Sequence, residues 1–593
     1  MDYGLKVYKE DKNALIFGQG LLAGSPIPGT HRMIVTGHSP QWELFYDSTM
    51  GGATYVMLRL GINYIHLKGK AQTPSILKIN RTKEKGIFIE FIPVDIETIW
   101  KGYKDEIGFY ALQQFVFDEY HEEFGACRIL ATGPAAKYSK SGAIGSAPIE
   151  RGEVTPVDCW AGRGGLGSQL FQQLGIAAII YGGEEALRNE KLTDRKKIDE
   201  MFLKKFDVKM INEDMVATKK YRYDESFHTG GTFGVNFAKI KGELFCFNYR
   251  SVNWTEEKRL DVHKKFILDH YLRQFNEESI VTKQFKTCGE PCPAACKKMH
   301  GKYKKDYEPY QTLGPNTGIF DQRAAELVNH YADGMGVDAI QIGIMISWVM
   351  ECLHENIFPK EDFGLTKDPK FNPDDFHVVN DSMHNAELAI EIINLIFFSD
   401  RGEVFHDGIR VAAHKLSEKY SSKAMHLAIY NSHGKEGSMI ANQYWSPGMY
   451  SPMPLMGKYC TSYGMDYMEP REIGHKNVER MIMELYSDNG GLCRFHRKWI
   501  EEIYPNLINE LYGEHIDMYS HHRKLAQDIN WYNKPIFWES QRMIELMIGY
   551  LKREAEKNEG ARVWIEKFKK DMWGTAKEYW QEILNGQNEA FTD

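Results

Sequence analysis

The amino-acid sequence predicts an α/β domain built on a β-sheet followed by two mainly α-helical domains, over residues 1–190, 191–405 and 406–593. Three observations carry that expectation. Short apolar runs punctuated by glycine fill the first third, as strands between tight turns do. From about Glu190 the runs become charged and helix-favouring, with apolar residues three and four apart. The 593-residue length shows no internal repeat or low-complexity tract and suits roughly two to four domains.

The elements follow in order. NALIFGQGLL, HRMIVTGHSP, NYIHLKGKA, SILKIN and GIFIEFIPVD read as strands, and Met50-Gly51-Gly52 leads into a short helix over TYVMLRLGI. CRILATGPAA and AAIIYGGEE add strands near residues 127 and 177. LTDRKKIDEMFLKKF, EEKRLDVHKKFILDHYLRQFNEE, DQRAAELVNHYADGMG and VDAIQIGIMISWVMECLHENI read as amphipathic or core helices. The chain ends in ARVWIEKFKKDMWGTAKEYWQEIL, where Trp564, Phe568 and Met572 form a stripe expected to face the core.

Lysine plus arginine number 73 against 81 aspartate plus glutamate, a net charge of −8 with no clustered basic block. A nucleic-acid-binding surface is therefore not expected. With 43% hydrophobic and 26% charged residues, disordered and fibrous classes drop out. The longest apolar stretch, 340–350, is interrupted by Gln341, Gly343 and Ser347 and is too short to span a bilayer. The N-terminus shows no charged-then-apolar leader, and nine cysteines are too sparse for a disulfide scaffold. The chain reads as cytoplasmic.

The cysteines are unevenly placed. Cys127, Cys159, Cys246, Cys352 and Cys460 are scattered singly, as buried small hydrophobes are. Cys288, Cys292 and Cys296 crowd one segment, where Pro291 and Pro293 argue for a tight loop over a helix. Three thiolates from one loop and a distant fourth, for which Cys493 in SDNGGLCRF is the candidate, suit an iron–sulfur cluster. A structural four-sulfur zinc site, or three unrelated core cysteines, are the other readings of the same spacing.

Two further patterns bear on ligands. The segment 160–167, WAGRGGLG, frees backbone N–H groups and adds the cationic fork of Arg163, but lacks the Lys-Ser/Thr pair of a Walker A loop. DGMGVD (333–338) and DNGGLC (488–493) share the pattern D-x-x-G-[LV]-[DC]. Glycine caps at two helix ends account for Gly336 and Gly491. The matched Asp333 and Asp488 suggest two related contacts on a pseudo-symmetric ligand.

Taken together these motifs resemble the tungsten-containing aldehyde:ferredoxin oxidoreductase family over most of the chain. KNALIFGQGLLAGSPIPGTHRMIVTGHSP is similar to its early segment, and STMGG (48–52) stands where the family has an Asn-Ser-Gly-Gly turn. AGRGGLG matches its pterin-contacting turn, and the two D-x-x-G motifs match its pair of pterin loops. The resemblance implies tungsten, less often molybdenum, held by two pyranopterins whose phosphates Mg2+ bridges, with a [4Fe-4S] cluster nearby. Asp333, Asp338, Asp488 and Leu492 would touch the pterins, with Thr49 and Gly51 in the same site. Arg32, Arg163 and Gly164 would hold the phosphates. Cys288, Cys292, Cys296 and Cys493 would ligate the cluster. Glu308, in KDYEPY, aligns with a glutamate beside the metal, where a carboxylate can take the proton released as aldehyde becomes acid. The implied reaction is aldehyde oxidation to a carboxylic acid, or its reverse. Electrons would pass to ferredoxin or to a small iron–sulfur subunit, in an oligomer of like or unlike chains. Two alternatives stand beside it: a tungsten-dependent aromatic-ring or acyl-CoA reductase subunit of the same family, and a non-enzymatic scaffold with a four-cysteine zinc site.

The sequence departs from the family in three ways. Its cysteine loop is C-x3-C-x3-C where the family has C-x2-C-x3-C. The segment around the family's active-site histidine is replaced by ANQYWSPGMYSPMPLMGKY (441–459), leaving His433 and His300 as substitutes, His433 the one taken as catalytic. The aromatic and methionine side chains there leave room for a large apolar substrate. The chain also begins inside the family's first domain, which predicts an open sheet edge that a small separate subunit completes.

Overall fold

The computed structural model describes residues 1–439, 454–455, 458–459, 466–533 and 535–592. Twelve strands build the N-terminal region: β1 (Leu15–Gln19), β2 (Met33–Ser39), β3 (Leu44–Met50), β4 (Tyr64–Leu67), β5 (Ser75–Thr82), β6 (Gly86–Pro93), β7 (Ala126–Ala131), β8 (Ile144–Ser146), β9 (Ile149–Glu150), β10 (Glu153–Val154), β11 (Cys159–Ala161) and β12 (Ile176–Gly183). They form an antiparallel sheet in the order β3-β2-β1-β4, a six-stranded sheet in the order β11-β8-β7-β12-β5-β6, and a ribbon of β9 and β10. In the larger sheet β12 runs parallel to β5 and antiparallel to β7. The near-continuous apolar run of β12 is buried at every residue, as expected of a strand covered on both faces.

The strand runs anticipated from glycine punctuation all form. Five of these twelve strands were not anticipated: the short β8, β9, β10 and β11, and β3, where Ser48 and Thr49 of STMGG read as a turn whereas Ser48–Met50 close the strand against Met33–Val35. The first residues do not leave the smaller sheet bare. Helix Asp2–Glu10 lies on β2, where a Cβ on Gly4 would overlap the Thr36 side chain, and Leu5 and Tyr8 are buried. In the other sheet the edge strand β6 carries Ile87, Phe88, Ile89 and Phe91 facing solvent.

Beyond residue 183 the chain is mostly helical. The largest apolar core gathers residues from Phe233 to Ile583 together with Ala135 of the N-terminal region. Helix Pro470–Asp488 returns to the first sheet, its Val478, Met481, Ile482 and Leu485 sharing one core with Phe17, Val35 and Phe45. The C-terminal run is two helices, Glu559–Lys570 and Met572–Thr592, where one was expected. Asp571 takes an extended backbone, and its carboxylate accepts from the Gly574 N–H at 2.9 Å, capping the second helix. Trp564 and Phe568 are buried in the large core, while Met572 opens the last helix. No described helix is long and apolar enough to cross a membrane.

Candidate active site

The cysteine loop is not helical: it joins strand Phe285–Lys286 to strand Lys297–His300. Contacts from remote segments hold it. The His31 Nε2 accepts from the Gly24 N–H, so its Nδ1 carries the proton and donates to Glu290 in the loop at 2.9 Å, both side chains buried. Burial would raise the Glu290 carboxyl, but the His31 bond holds it below the usual range. Arg128 donates to the Cys288 carbonyl and Arg222 to that of Pro293. Gly51 and Gly52 form the floor: a Cβ on Gly51 would sit 3.0 Å from the Cys288 Cβ, and one on Gly52 would strike the Cys288 carbonyl. Here the glycines of STMGG are required by close approach.

The two D-x-x-G segments end helices Gln322–Met335 and Pro470–Asp488. Gly336 and Gly491 both have φ +63°, and each lies against a glycine just after a sheet strand, Gly133 after β7 and Gly20 after β1. Asp338 caps helix Ala339–His354 through Oδ1, leaving Oδ2 buried without a hydrogen-bond partner. Burial pushes its carboxyl up to about 6, against the pull of Arg163. Burial and the neighbouring Asp158 also raise Asp333 well above the carboxylate range. Asp488 is instead paired with Arg494.

A cavity of about 330 Å³ lies between these elements, lined by Cys288, Cys296 and Cys493, by Asp333, Asp338 and Asp488, and by Arg32, Arg163, Thr49 and Gly51. Glu308 lines it too. In helix Tyr307–Thr312, Tyr307 and Tyr310 point one turn apart into the core, and Glu308 is left toward the cavity, its carboxylate making no hydrogen bond or ion pair among the described residues. Neighbouring Asp306 is held down to about 2 by Lys297 and Lys304, overcoming its burial. Arg32 spans the site, its Nε donating to Thr49 Oγ1 at 2.9 Å while Nη1 lies 3.9 Å from Cys493 Sγ. Burial would raise the Cys493 thiol, but His496 and Arg32 bring it down to about 7.

The remaining anticipated residues lie elsewhere. Gly164 backs the cavity residue Tyr46, whose ring would collide with a Cβ there. Leu492 is buried behind the wall, and Cys292 does not line the cavity, its Sγ lying 3.5 Å from Nε2 of the buried His496. His433 is not a lining residue; it is buried in strand Asn431–His433 with both ring nitrogens unpartnered, and burial with nearby Arg410 lowers it to about 3. His300 pairs with Glu326 away from the cavity. Segment 441–459 lies outside the described residues apart from the backbone of two short strands, and Cys460 lies outside them altogether.

Sequence reasoning missed several lining residues, Cys159 and Asp47 among them. Cys159, assigned to the core, lies beside Gly51 and Cys288; its place just before the WAGRGG turn was the available signal. Asp47, buried with both carboxylate oxygens unpartnered, carried no motif.

These donors fit the groups the sequence implied. The bare oxygens of Asp47 and Asp338 are acceptors awaiting N–H donors such as a pterin ring presents. The four thiols suit a body larger than one ion. Around a zinc ion, sulfurs about 2.3 Å from the metal lie roughly 3.8 Å apart. Among the described residues the one metal-capable group with all ligand atoms within 4.8 Å is Glu278, His300 and Glu326, so no three of these sulfurs are that close.

Comparison with known proteins shows the family. The family model for the N-terminal domain of aldehyde ferredoxin oxidoreductase matches residues 5–183, and that for its domains 2 and 3 matches residues 208–530. The chain is 34% identical to the glyceraldehyde-3-phosphate:ferredoxin oxidoreductase of Pyrococcus furiosus, over 99% of this chain and 93% of that one. It is 24% identical to the tungsten-containing aldehyde ferredoxin oxidoreductase of Pyrococcus horikoshii, over 85% of this chain and 76% of that one. Among solved structures, the active-site complex BamBC of benzoyl coenzyme A reductase shares the fold, with a TM-score of 0.63 at 16% identity over 98% of this chain and 94% of that one. The chain belongs to the aldehyde ferredoxin oxidoreductase family.

Proposed function

We propose that this chain oxidises a small phosphorylated aldehyde to its carboxylic acid and passes the electrons through a [4Fe-4S] cluster to ferredoxin or an iron–sulfur subunit. The observation that carries it is one cavity presenting cluster thiols, paired aspartates and the uncommitted Glu308 together. Cys288, Cys292, Cys296 and Cys493 hold the cluster, and Asp333, Asp338 and Asp488 accept from the pterins. Arg32 and Arg163 serve phosphate groups. When bound, the tungstopterin supplies the two-electron redox centre. Glu308 takes the proton released on oxidation; Asp306 is committed to Lys297 and Lys304. The phosphorylated substrate follows the relative that is 34% identical over nearly the whole chain.

The test is an anaerobic viologen-reduction assay with glyceraldehyde 3-phosphate, acetaldehyde and benzaldehyde. The proposal expects the phosphorylated aldehyde to give the highest kcat/KM and Glu308→Gln to lower kcat about 100-fold or more, the range of general-base catalysis. Viologen-driven reduction of an aromatic acyl-CoA with no aldehyde activity would instead make this a ring reductase.

A further inference from the structure

We propose that a basic patch outside the cavity, built on Lys219–Arg222 and seated against the cysteine loop, is the surface where a soluble acidic one-electron carrier protein docks. The inference rests on the four-cysteine cluster reading above. Helix Met210–Ala217 is followed at once by the short helix Lys219–Arg222. Arg222 ties that short helix to its neighbour and to the loop. Its Nη2 donates to the Met215 carbonyl at 3.4 Å and its Nη1 to that of Pro293 at 3.0 Å. Tyr221 stacks on Phe495, two residues past Cys493, with ring centroids 3.9 Å apart. The patch therefore touches both stretches of chain that carry the proposed cluster thiols. Cys292, next to Pro293, is also the one cysteine of the four that does not line the cavity. An electron leaving on this side does not cross the substrate site.

Charge decides what docks there. Among the described residues Lys220, Arg222 and Lys239 make no ion pair, while Lys219 pairs with Glu225 at 3.0 Å and Lys498 with Glu213 at 3.4 Å. Desolvation, and then the nearby Arg497 and Lys239, push the Lys220 ammonium below its ordinary value against the pull of Asp224, so like charges crowd this spot. The whole chain carries −8 and would repel an acidic protein. A local excess of cations directs such a protein to one approach. Met215 and Val216 add apolar contact beside the lysines, Val216 being 61% exposed. A small apolar centre ringed by charge suits a transient redox encounter, whereas a permanent subunit needs a larger interface with an apolar core. The occupant is therefore a dissociable carrier. One electron leaves the reduced cluster and enters the carrier's iron–sulfur centre; no bond forms or breaks and no proton moves.

The test is stopped-flow mixing of the anaerobically purified, chemically pre-reduced full chain with an oxidised acidic [4Fe-4S] ferredoxin, with iron counted and no aldehyde added. The second-order rate constant should fall about tenfold or more as salt rises from low to high ionic strength. Lys220→Glu combined with Lys239→Glu should lower it about tenfold or more at low salt with iron retained, while electron transfer to the small dication benzyl viologen does not fall. The same two reversals at Lys569 and Lys570 of helix Glu559–Lys570, which change the net charge equally, should leave the ferredoxin rate within about twofold. Val216→Glu should also slow ferredoxin several-fold, and it supplies the reading if the double variant loses iron. Equal ferredoxin rates in wild type and in an iron-replete patch variant would overturn the proposal, as would a rate indifferent to salt. Ferredoxin that stays bound through gel filtration at high salt would contradict a dissociable carrier. A wild-type chain without iron would instead sink the cluster reading, a separate outcome.

Discussion

The 333–338 and 488–493 loops share one backbone design and differ in what they present. Each ends a helix, and each sets a left-handed glycine against a glycine of the sheet region. The Gly336 carbonyl accepts from Ala143 N–H at 2.8 Å and the Gly491 carbonyl from Arg32 N–H at 3.1 Å. The Asp338 N–H donates to Ser141 and the Cys493 N–H to Gly29, at 2.9 and 2.7 Å. The side chains then diverge. The first loop offers two carboxyls, the half-buried Asp333 and the buried Asp338, both raised by desolvation. The second ties its aspartate to Arg494 and ends in a thiol between Arg32 and His496. One loop thus presents acceptors for hydrogen-bond donors, and its twin ends in the thiol proposed above as a cluster ligand. Approximate symmetry relates the two backbones, and the final residue of each loop sets them apart.

That contrast can be broken from its shared part downward. The largest effect is expected where the glycines meet. Gly20→Ala would drive a Cβ into the Gly490 carbonyl, and Gly133→Ala into that of Met335. Each should cost roughly 3 kcal/mol, the upper range for overpacking, read as a fall in the thermal unfolding midpoint. If only one is costly, the two dockings are not equivalent.

A middle-sized effect separates the carboxyls. Asp338 is raised from 3.8 to about 6, so its ionised form opposes folding. Below the unfolded-state value both states are protonated and nothing is lost; through the window from about 4 to 6 the unfolded state ionises first and stability falls. Asn caps helices as well as Asp. Asp338→Asn should therefore stabilise the cofactor-free chain at pH 7 by about 2 kcal/mol, and the gain should vanish near pH 4. A denaturation series across pH checks both magnitude and sign. The smallest effect is on the second loop, where Asp488→Asn leaves Arg494 with Glu484 at 2.8 Å. There the expected loss is about 1 kcal/mol, read by the same denaturation at pH 7.

The sequence made legible what is written locally. Alternating runs and glycines mark the strands, the spacing of Cys288, Cys292 and Cys296 marks the loop, and the repeated Asp-x-x-Gly marks both helix ends. Contacts between distant segments left no pattern to read. His31 meets Glu290 across 259 positions and Asp214 meets His496 across 282, and neither pair has a local signature. Asp47 was invisible for the same reason. The break at Asp571 was hidden by apolar spacing that continues across it, and β3 by polar residues that face the site.

The central claim is that Cys493 serves a cluster while its structural twin Asp338 does not. Iron and tungsten counts per chain in anaerobically purified wild type, Cys493→Ser and Asp338→Asn test it most directly. The account predicts about four irons and one tungsten in the wild type, iron lost from or depleted in Cys493→Ser, and the full iron count in Asp338→Asn. Zinc in place of iron, or equal iron in wild type and Cys493→Ser, would contradict it.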